Sequence, residues 1–182
     1  MNDVILLNGR YDWGIDELVP KLRNLRVQSL ETRHRRDRPP KLPSRKELQV
    51  ILDGLGAVLF PNRLGLPDLN DEGIDYFVGH TLDTLLRELY KQIRRELQFI
   101  LGHVAVDDTY QQAVAITREF AARLPEVRVL LDSDIQAAYE GDPSARSSDE
   151  VLVCYPGITA IIHHRLAHVL YQLGAPLVAR II

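Results

Sequence analysis

Apolar residues recur at every third or fourth position through most of this chain, which is the period of one face of an α-helix. The longest series is Ile74, Val78, Leu82, Leu85, Leu89, Ile93, Leu97 and Ile100, and it predicts a helix from about Asp71 to Leu101. A second series, Leu48, Ile51, Leu52, Leu55, Val58 and Leu59, follows Ser44-Arg-Lys-Glu47 and stops at Pro61-Asn62. That tetrapeptide has the form of a capping box, in which the Ser hydroxyl and the Glu carboxylate each satisfy an amide left free at a helix start. Nearer the N-terminus, Ile15, Leu18, Leu22, Leu25 and Leu30 line one side of a first helix, with Pro20 placed in its first turn. Arg33 to Lys46 reads as a basic, proline-broken joint.

Beyond the long helix, Asp108-Thr-Tyr-Gln111 reads as the cap of a helix ending near Arg123, and Pro125 as the start of another running to Tyr139. Pro156 fits a first helical turn and Gly174 a helix end, so the last helix is expected over Pro156 to Leu173. No internal repeat, low-complexity tract or series of strands stands out. The expected fold is an all-α multi-helix bundle, divided into a helical extension with its joint (1–43) and a helical domain (44–182).

Composition narrows the picture a little. The chain has 182 residues, 46% of them hydrophobic and 26% charged, which suits a globular domain with a real core. A formal net charge of −3 gives no overall pull toward nucleic acid or an anionic membrane, and neither is expected as a partner. The basic run Arg33-His-Arg-Arg-Asp-Arg-Pro-Pro-Lys41 lacks an interleaved aromatic residue to stack on bases, so it reads as a solvated linker. The lone Cys154 cannot form an intramolecular disulfide and fits a reducing compartment. With no basic leader before the short apolar run Val4 to Leu7, the expected location is the cytoplasm.

Candidate chemistry gathers between Asp132 and His168. Pro143 biases Asp142 toward an extended backbone, so its carboxylate should project from a turn, where it could accept an ammonium group. The same Gly141-Asp142-Pro143 string is also a common way simply to end a helix. His164 and His168 lie four apart on one helical face, a spacing compatible with a metal, but no glutamate or third ligand stands at a matching distance, and no metal is expected. Arg165 and His168 are expected to hydrogen-bond the preceding loop near Asp149 and Glu150.

Three strings in this region carry a resemblance. They are Asp134-Ile-Gln-Ala137 with Asp142-Pro-Ser-Ala145, Ser148-Asp-Glu-Val151 with Tyr155-Pro-Gly157, and His164-Arg-Leu-Ala-His168. In that order and at those separations they resemble the end of the helical N-terminal region of the serine O-acetyltransferases, which acetylate L-serine from acetyl-CoA in cysteine biosynthesis. The resemblance implies that Asp142 contacts the amino group of serine, or of an inhibiting cysteine, and that the histidines of the last helix are structural. It implies that the catalytic His and its supporting Asp lie in a left-handed β-helix beginning about where this sequence stops, so that no residue here is assigned as catalytic. Acetyl-CoA is then the co-substrate of the full-length enzyme, with no site in this chain, and these 182 residues alone should show no turnover. The implied partners are further copies of the chain, since helical regions in the family pack two trimers together. O-acetylserine sulfhydrylase is also implied, but through a tail after the β-helix that Arg180-Ile-Ile182 does not represent. A non-catalytic helical assembly module is the other function these residues allow.

Overall fold

In the computed structural model the described residues are 6–7, 10–11, 13–32, 41–68, 70–101 and 106–182, and they divide into two compact units, 1–39 and 40–182. The basic run from Arg33 to Pro40 lies outside the described residues.

The first unit holds a minimal antiparallel ladder, β1 (Leu6–Leu7) with β2 (Arg10–Tyr11), in which Leu6 pairs with Tyr11 and Leu7 with Arg10. Sequence reading missed this hairpin, although Asn8-Gly9 between the strands is a strong tight-turn signal. Helix α1 (Ile15–Thr32) follows Gly14, whose φ of +63° suits glycine. Pro20 stands in its second turn, not its first, and so removes one helical hydrogen bond. The apolar residues Ile15, Leu18, Leu22 and Leu25 are all exposed.

The second unit is helical throughout: α2 (Arg45–Leu59), α3 (Pro61–Leu64), α4 (Asp71–Leu101), α5 (Val106–Gly141), α6 (Ser148–Cys154), α7 (Pro156–Gln172) and α8 (Pro176–Ile181). Helix α4 packs between α2 and α5, α5 packs on α7, and α8 folds back against α7, α4 and α2. One core runs through them, from Leu48, Leu55 and Ile93 through Phe120 and Leu131 to Leu166 and Val178, with α3 touching it only through the half-buried Leu64. The expected face of α2 is buried, with Val58 partly so. Of the apolar series on α4, Leu85, Leu89, Ile93 and Leu97 are buried, whereas Ile74, Val78 and Leu82 are half-buried and Ile100 is exposed. The first half of α4 therefore shows its apolar stripe partly to solvent.

Two boundaries differ from expectation. Val106–Gly141 is a single helix that continues through Pro125, and Asp108 lies inside it. Proline removes one amide donor there, but Ile116, Phe120, Leu124, Val127, Leu131 and Ile135 keep an unbroken buried face on both sides of it. Packing outweighs the lost bond. Past Gly174 (φ +91°) the chain turns into α8, which the sequence reading did not anticipate, just as it did not separate α6 from α7.

The start of α2 is also built differently from a full capping box. Ser44 Oγ accepts the Glu47 amide at 3.3 Å, but the Ser44 amide donates to Gln92 Oε1 at 2.9 Å. Glu47 turns outward to Gln92 Nε2 (2.5 Å) and Arg95 (2.6 Å), which hold its carboxyl below the usual range. A buried residue of α4 has taken the place of the local partner.

Candidate functional site

Helix α5 ends at Gly141, and Pro143 prevents the backbone from continuing it. Asp142 is thus the first residue of the turn that leads to α6. The residue is half-buried, and its carboxylate accepts three hydrogen bonds from its neighbours. Oδ1 accepts the Ser144 amide at 2.9 Å and the Ser144 hydroxyl at 2.6 Å, and Oδ2 accepts the Tyr155 hydroxyl at 2.5 Å. The Ser144 hydroxyl, the Tyr155 hydroxyl and the Ser144 amide, in that order, hold Asp142 below the usual carboxylate range. A carboxylate offers about four acceptor sites. Three are filled, so an ionised oxygen with one free site remains for a cationic donor.

The rest of the turn is fixed by helix ends. Ser147 caps α6, accepting the Glu150 amide at 3.1 Å, while Glu150 reaches back to accept the Arg146 amide at 2.9 Å. This reciprocal pair, not Ser44 with Glu47, is the near-complete capping box of the chain, shifted by one residue from the usual form. Tyr155 closes α6 with its amide on Val151 O and precedes Pro156, the first residue of α7. Asp142 and Tyr155 are thirteen residues apart and are brought together by this turn and helix. Sequence reading found Asp142 and missed Tyr155. The signal was available in the rigid Tyr-Pro step that joins two helices.

Arg165 and His168 do not reach Asp149 or Glu150. Arg165 makes a two-pronged pair with Asp134 of α5, at 2.9 and 2.8 Å, which raises the guanidinium above its ordinary value. The expectation failed because α7 packs along α5, so the side of α7 that carries Arg165 meets a helix and not the turn. Asp149 pairs with Arg63 at 2.6 Å instead. His168 meets Gln172 at 2.9 Å and stacks near His164, ring centres 6.1 Å apart. Among the described residues no group of three or more His, Cys, Asp or Glu is placed to hold a metal ion, and no helix is long and apolar enough to cross a membrane.

A separate open cleft of about 400 Å³ lies between α3, α5 and α6, lined by Phe60, Arg63, Arg128, Asp132, Asp149 and Leu152 among others. Its cations are already matched: Arg63 by Asp149, and Arg128 by Asp132 and the Leu59 carbonyl, with Arg128 also 4.0 Å over the Phe60 ring. Asp142 does not line it.

Set beside known proteins, the chain matches no protein-family model. It is 49% identical over 179 residues to a plasmid serine acetyltransferase of Synechococcus elongatus, a match covering 94% of this chain and 56% of that protein. A serine acetyltransferase of Mycobacterium tuberculosis is 57% identical over 47 residues, 26% of this chain and 20% of the relative. Among solved structures, serine acetyltransferase isoform 3 of Entamoeba histolytica, crystallised with cysteine, superposes with a TM-score of 0.55 at 25% identity. That likeness covers 81% of this chain and 49% of the solved one. The chain thus spans about half the length of the Synechococcus and Entamoeba proteins.

Proposed function

From a chain related to the serine acetyltransferases over nearly its whole length, we propose the helical N-terminal part of an enzyme that moves the acetyl group of acetyl-CoA to the hydroxyl of L-serine. In this reading the Asp142 carboxylate takes the serine ammonium through a charge-assisted hydrogen bond. Holding the ammonium orients the hydroxyl for attack on the thioester carbonyl, with the general base supplied by the β-helix that completes such an enzyme. Acetyl-CoA is the co-substrate, held outside these helices, and the working compartment is the cytoplasm. The observation that supports the reading is the Asp142 carboxylate at the end of α5, held below the usual carboxylate range by hydrogen bonds alone and with three of its roughly four acceptor sites filled.

Self-association is the second role. The first half of α4 leaves Tyr76 exposed and Phe77, Val78, Leu82 and Leu86 half-buried. Apolar surface of that kind costs about 25 cal/mol per Å² to leave in water, which favours covering it with a second copy. Light scattering of the 182-residue chain at micromolar concentration should give more than the single-chain mass; a monomer would remove this part of the reading.

Asp142→Asn in the catalytically complete protein tests the main role. It should lower kcat/KM for serine about tenfold to a hundredfold, the worth of a charged hydrogen bond. The KM for acetyl-CoA should stay put, and inhibition by cysteine should weaken in parallel, since both amino acids present the same ammonium. The 182 residues alone should release no thiol from acetyl-CoA in the presence of serine. Unchanged serine kinetics in the Asn variant would make Asp142 a turn residue only.

A further inference from the structure

We propose that Tyr155 is a positioning residue for the substrate ammonium, aiming the Asp142 carboxylate and offering its own phenolic oxygen as the second acceptor beside it. This rests on the reading of Asp142 as the ammonium site.

The argument begins with the backbone of Tyr155. Its amide is fixed on Val151 O at 3.2 Å, its carbonyl accepts the Ile158 amide at 3.0 Å, and the next residue is a proline with a locked φ. The ring packs against the core as a partly buried side chain. Tyr155 is therefore held before any ligand arrives, and little conformational freedom remains to be lost on binding.

The contacts on Asp142 divide by origin. Both bonds to Oδ1 come from Ser144, two residues away, and belong to the turn itself. The bond to Oδ2 comes from the joint between α6 and α7. Ser144 ties the carboxylate only to its own turn, whereas Tyr155 ties it to the joint between α6 and α7 and, through its ring, to the core. With both sites of Oδ1 filled, the open acceptor site is on Oδ2, next to the Tyr155 oxygen. A phenol that donates one hydrogen bond still accepts another. A primary ammonium has three donors, and two of them meet Oδ2 and the phenolic oxygen together.

Protonation behaviour agrees with this arrangement. A hydrogen bond to Asp142, then burial, then the charges of Asp142 and Glu150 push the Tyr155 phenol up against a smaller lowering by the Ser144 hydroxyl, so it stays a neutral donor at physiological pH. The ammonium shares the phenolic oxygen with Ser144. Facing the pair are Ser144 from the turn and Glu150 from α6; among the described residues no Lys, Arg or His forms an ion pair with Asp142. Hydrogen bonds alone hold the carboxylate low. Because the ionised form binds the ammonium, binding fails as pH falls through the depressed Asp142 value. Removing the phenol must move that failure to higher pH.

Tyr155→Phe keeps the ring and deletes the hydroxyl. In the 182-residue chain, a carbon-detected NMR titration of the Asp142 side chain should find its midpoint higher in the variant than in the parent. In the catalytically complete enzyme, the KM for serine should rise about threefold to tenfold with kcat and the acetyl-CoA KM nearly unchanged, the worth of one hydrogen bond. The acid limb of kcat/KM for serine should move up in pH with the NMR midpoint. Should the variant fold poorly, 3-fluorotyrosine at position 155, a stronger donor, should lower the Asp142 midpoint. An Asp142 midpoint that moves with neither change, or a serine KM unaltered in Tyr155→Phe, overturns the inference. Asp142→Asn run alongside separates the two ideas. If it spares serine kinetics the ammonium site itself is wrong; if it impairs them while Tyr155→Phe does nothing, only the role of Tyr155 falls.

Discussion

Gln92 and Glu96 stand one turn apart on α4, both fully buried, and each closes the start of a different helix. Gln92 Oε1 accepts the Ser44 amide ahead of α2, and the Glu96 carboxylate accepts the Leu177 and Val178 amides of α8 at 2.7 Å each. The amides at a helix start have no partner within the helix, and here a third helix supplies one. A single stripe on α4 thereby fixes both ends of the unit.

Glu96→Ala should accordingly cost about 2–4 kcal/mol of stability, since it leaves one buried and one part-buried amide without an acceptor. Glu96→Gln keeps one acceptor oxygen and should fall between. Urea unfolding followed by circular dichroism measures both; a loss below about 0.5 kcal/mol for the Ala variant, the range of neutral surface changes, would mean that water replaces the carboxylate.

Two glycines should respond with opposite sign to alanine. A Cβ at Gly65 would stand 2.4 Å from the Pro61 carbonyl oxygen and 3.1 Å from Phe77, and backbone there cannot yield cheaply. At Gly79, exposed on α4, a Cβ would meet nothing within 4 Å. Gly65→Ala should destabilise by about 1–3 kcal/mol, as overpacking does. Gly79→Ala should stabilise by about 0.5–1 kcal/mol through helix propensity. Thermal shifts of equal sign would contradict the packing described at the α3–α4 corner.

Acid should weaken the fold through identifiable carboxylates. Glu47, Asp142 and Asp149 are all held below their ordinary values, by Gln92 and Arg95, by Ser144 and Tyr155, and by Arg63 respectively. The unfolded chain then binds more protons than the folded one between those depressed values and the ordinary ones near 4. Stability from these groups is complete above about pH 5 and drains away as pH falls through the folded values. The urea midpoint should drop between pH 6 and pH 3, and a combined Glu47→Gln, Asp149→Asn variant should flatten that dependence. An equally steep fall in the double variant would place the acid sensitivity elsewhere.

Pro125→Ala should stabilise the chain by about 1–2 kcal/mol. The change restores an amide donor toward the Ala121 carbonyl inside a helix, against a smaller loss from a more flexible unfolded chain. Destabilisation in a urea titration would show that the surrounding core depends on the local geometry proline imposes.

The amino-acid pattern located what depends on one helix at a time. The limits of α4 were legible because a long apolar series met polar, acidic residues at Asp71 and a glycine after Leu101. Pro156 was placed correctly at the first turn of α7 for the same local reason. Misreadings arose where a distant residue replaced a local partner. Pro125 reads as a boundary until Phe120 and Leu131 are seen to share one buried face. Glu47 looks like the partner of the Ser44 amide until Gln92, 48 residues on, takes it. At the site, Asp142 stood out through its proline, and Ser144 lies beside it in the sequence. Tyr155 needed the fold of α6 to bring it within reach, and Arg165 needed the packing of α7 on α5 to choose Asp134.

The Glu96 contact also sets a clock for biosynthesis. Its carboxylate sits in the core of the unit, yet the amides that donate to it belong to residues made 81 and 82 positions later. At about 5–20 residues per second, a ribosome needs roughly 4–16 s to cover that distance. Until Val178 has been made, burying Glu96 would leave its polar side chain without those two donors, which is unfavourable. The Glu96 side of α4 can therefore reach its final packing only after α8 has been made, so the middle of the chain depends on its last residues to finish folding.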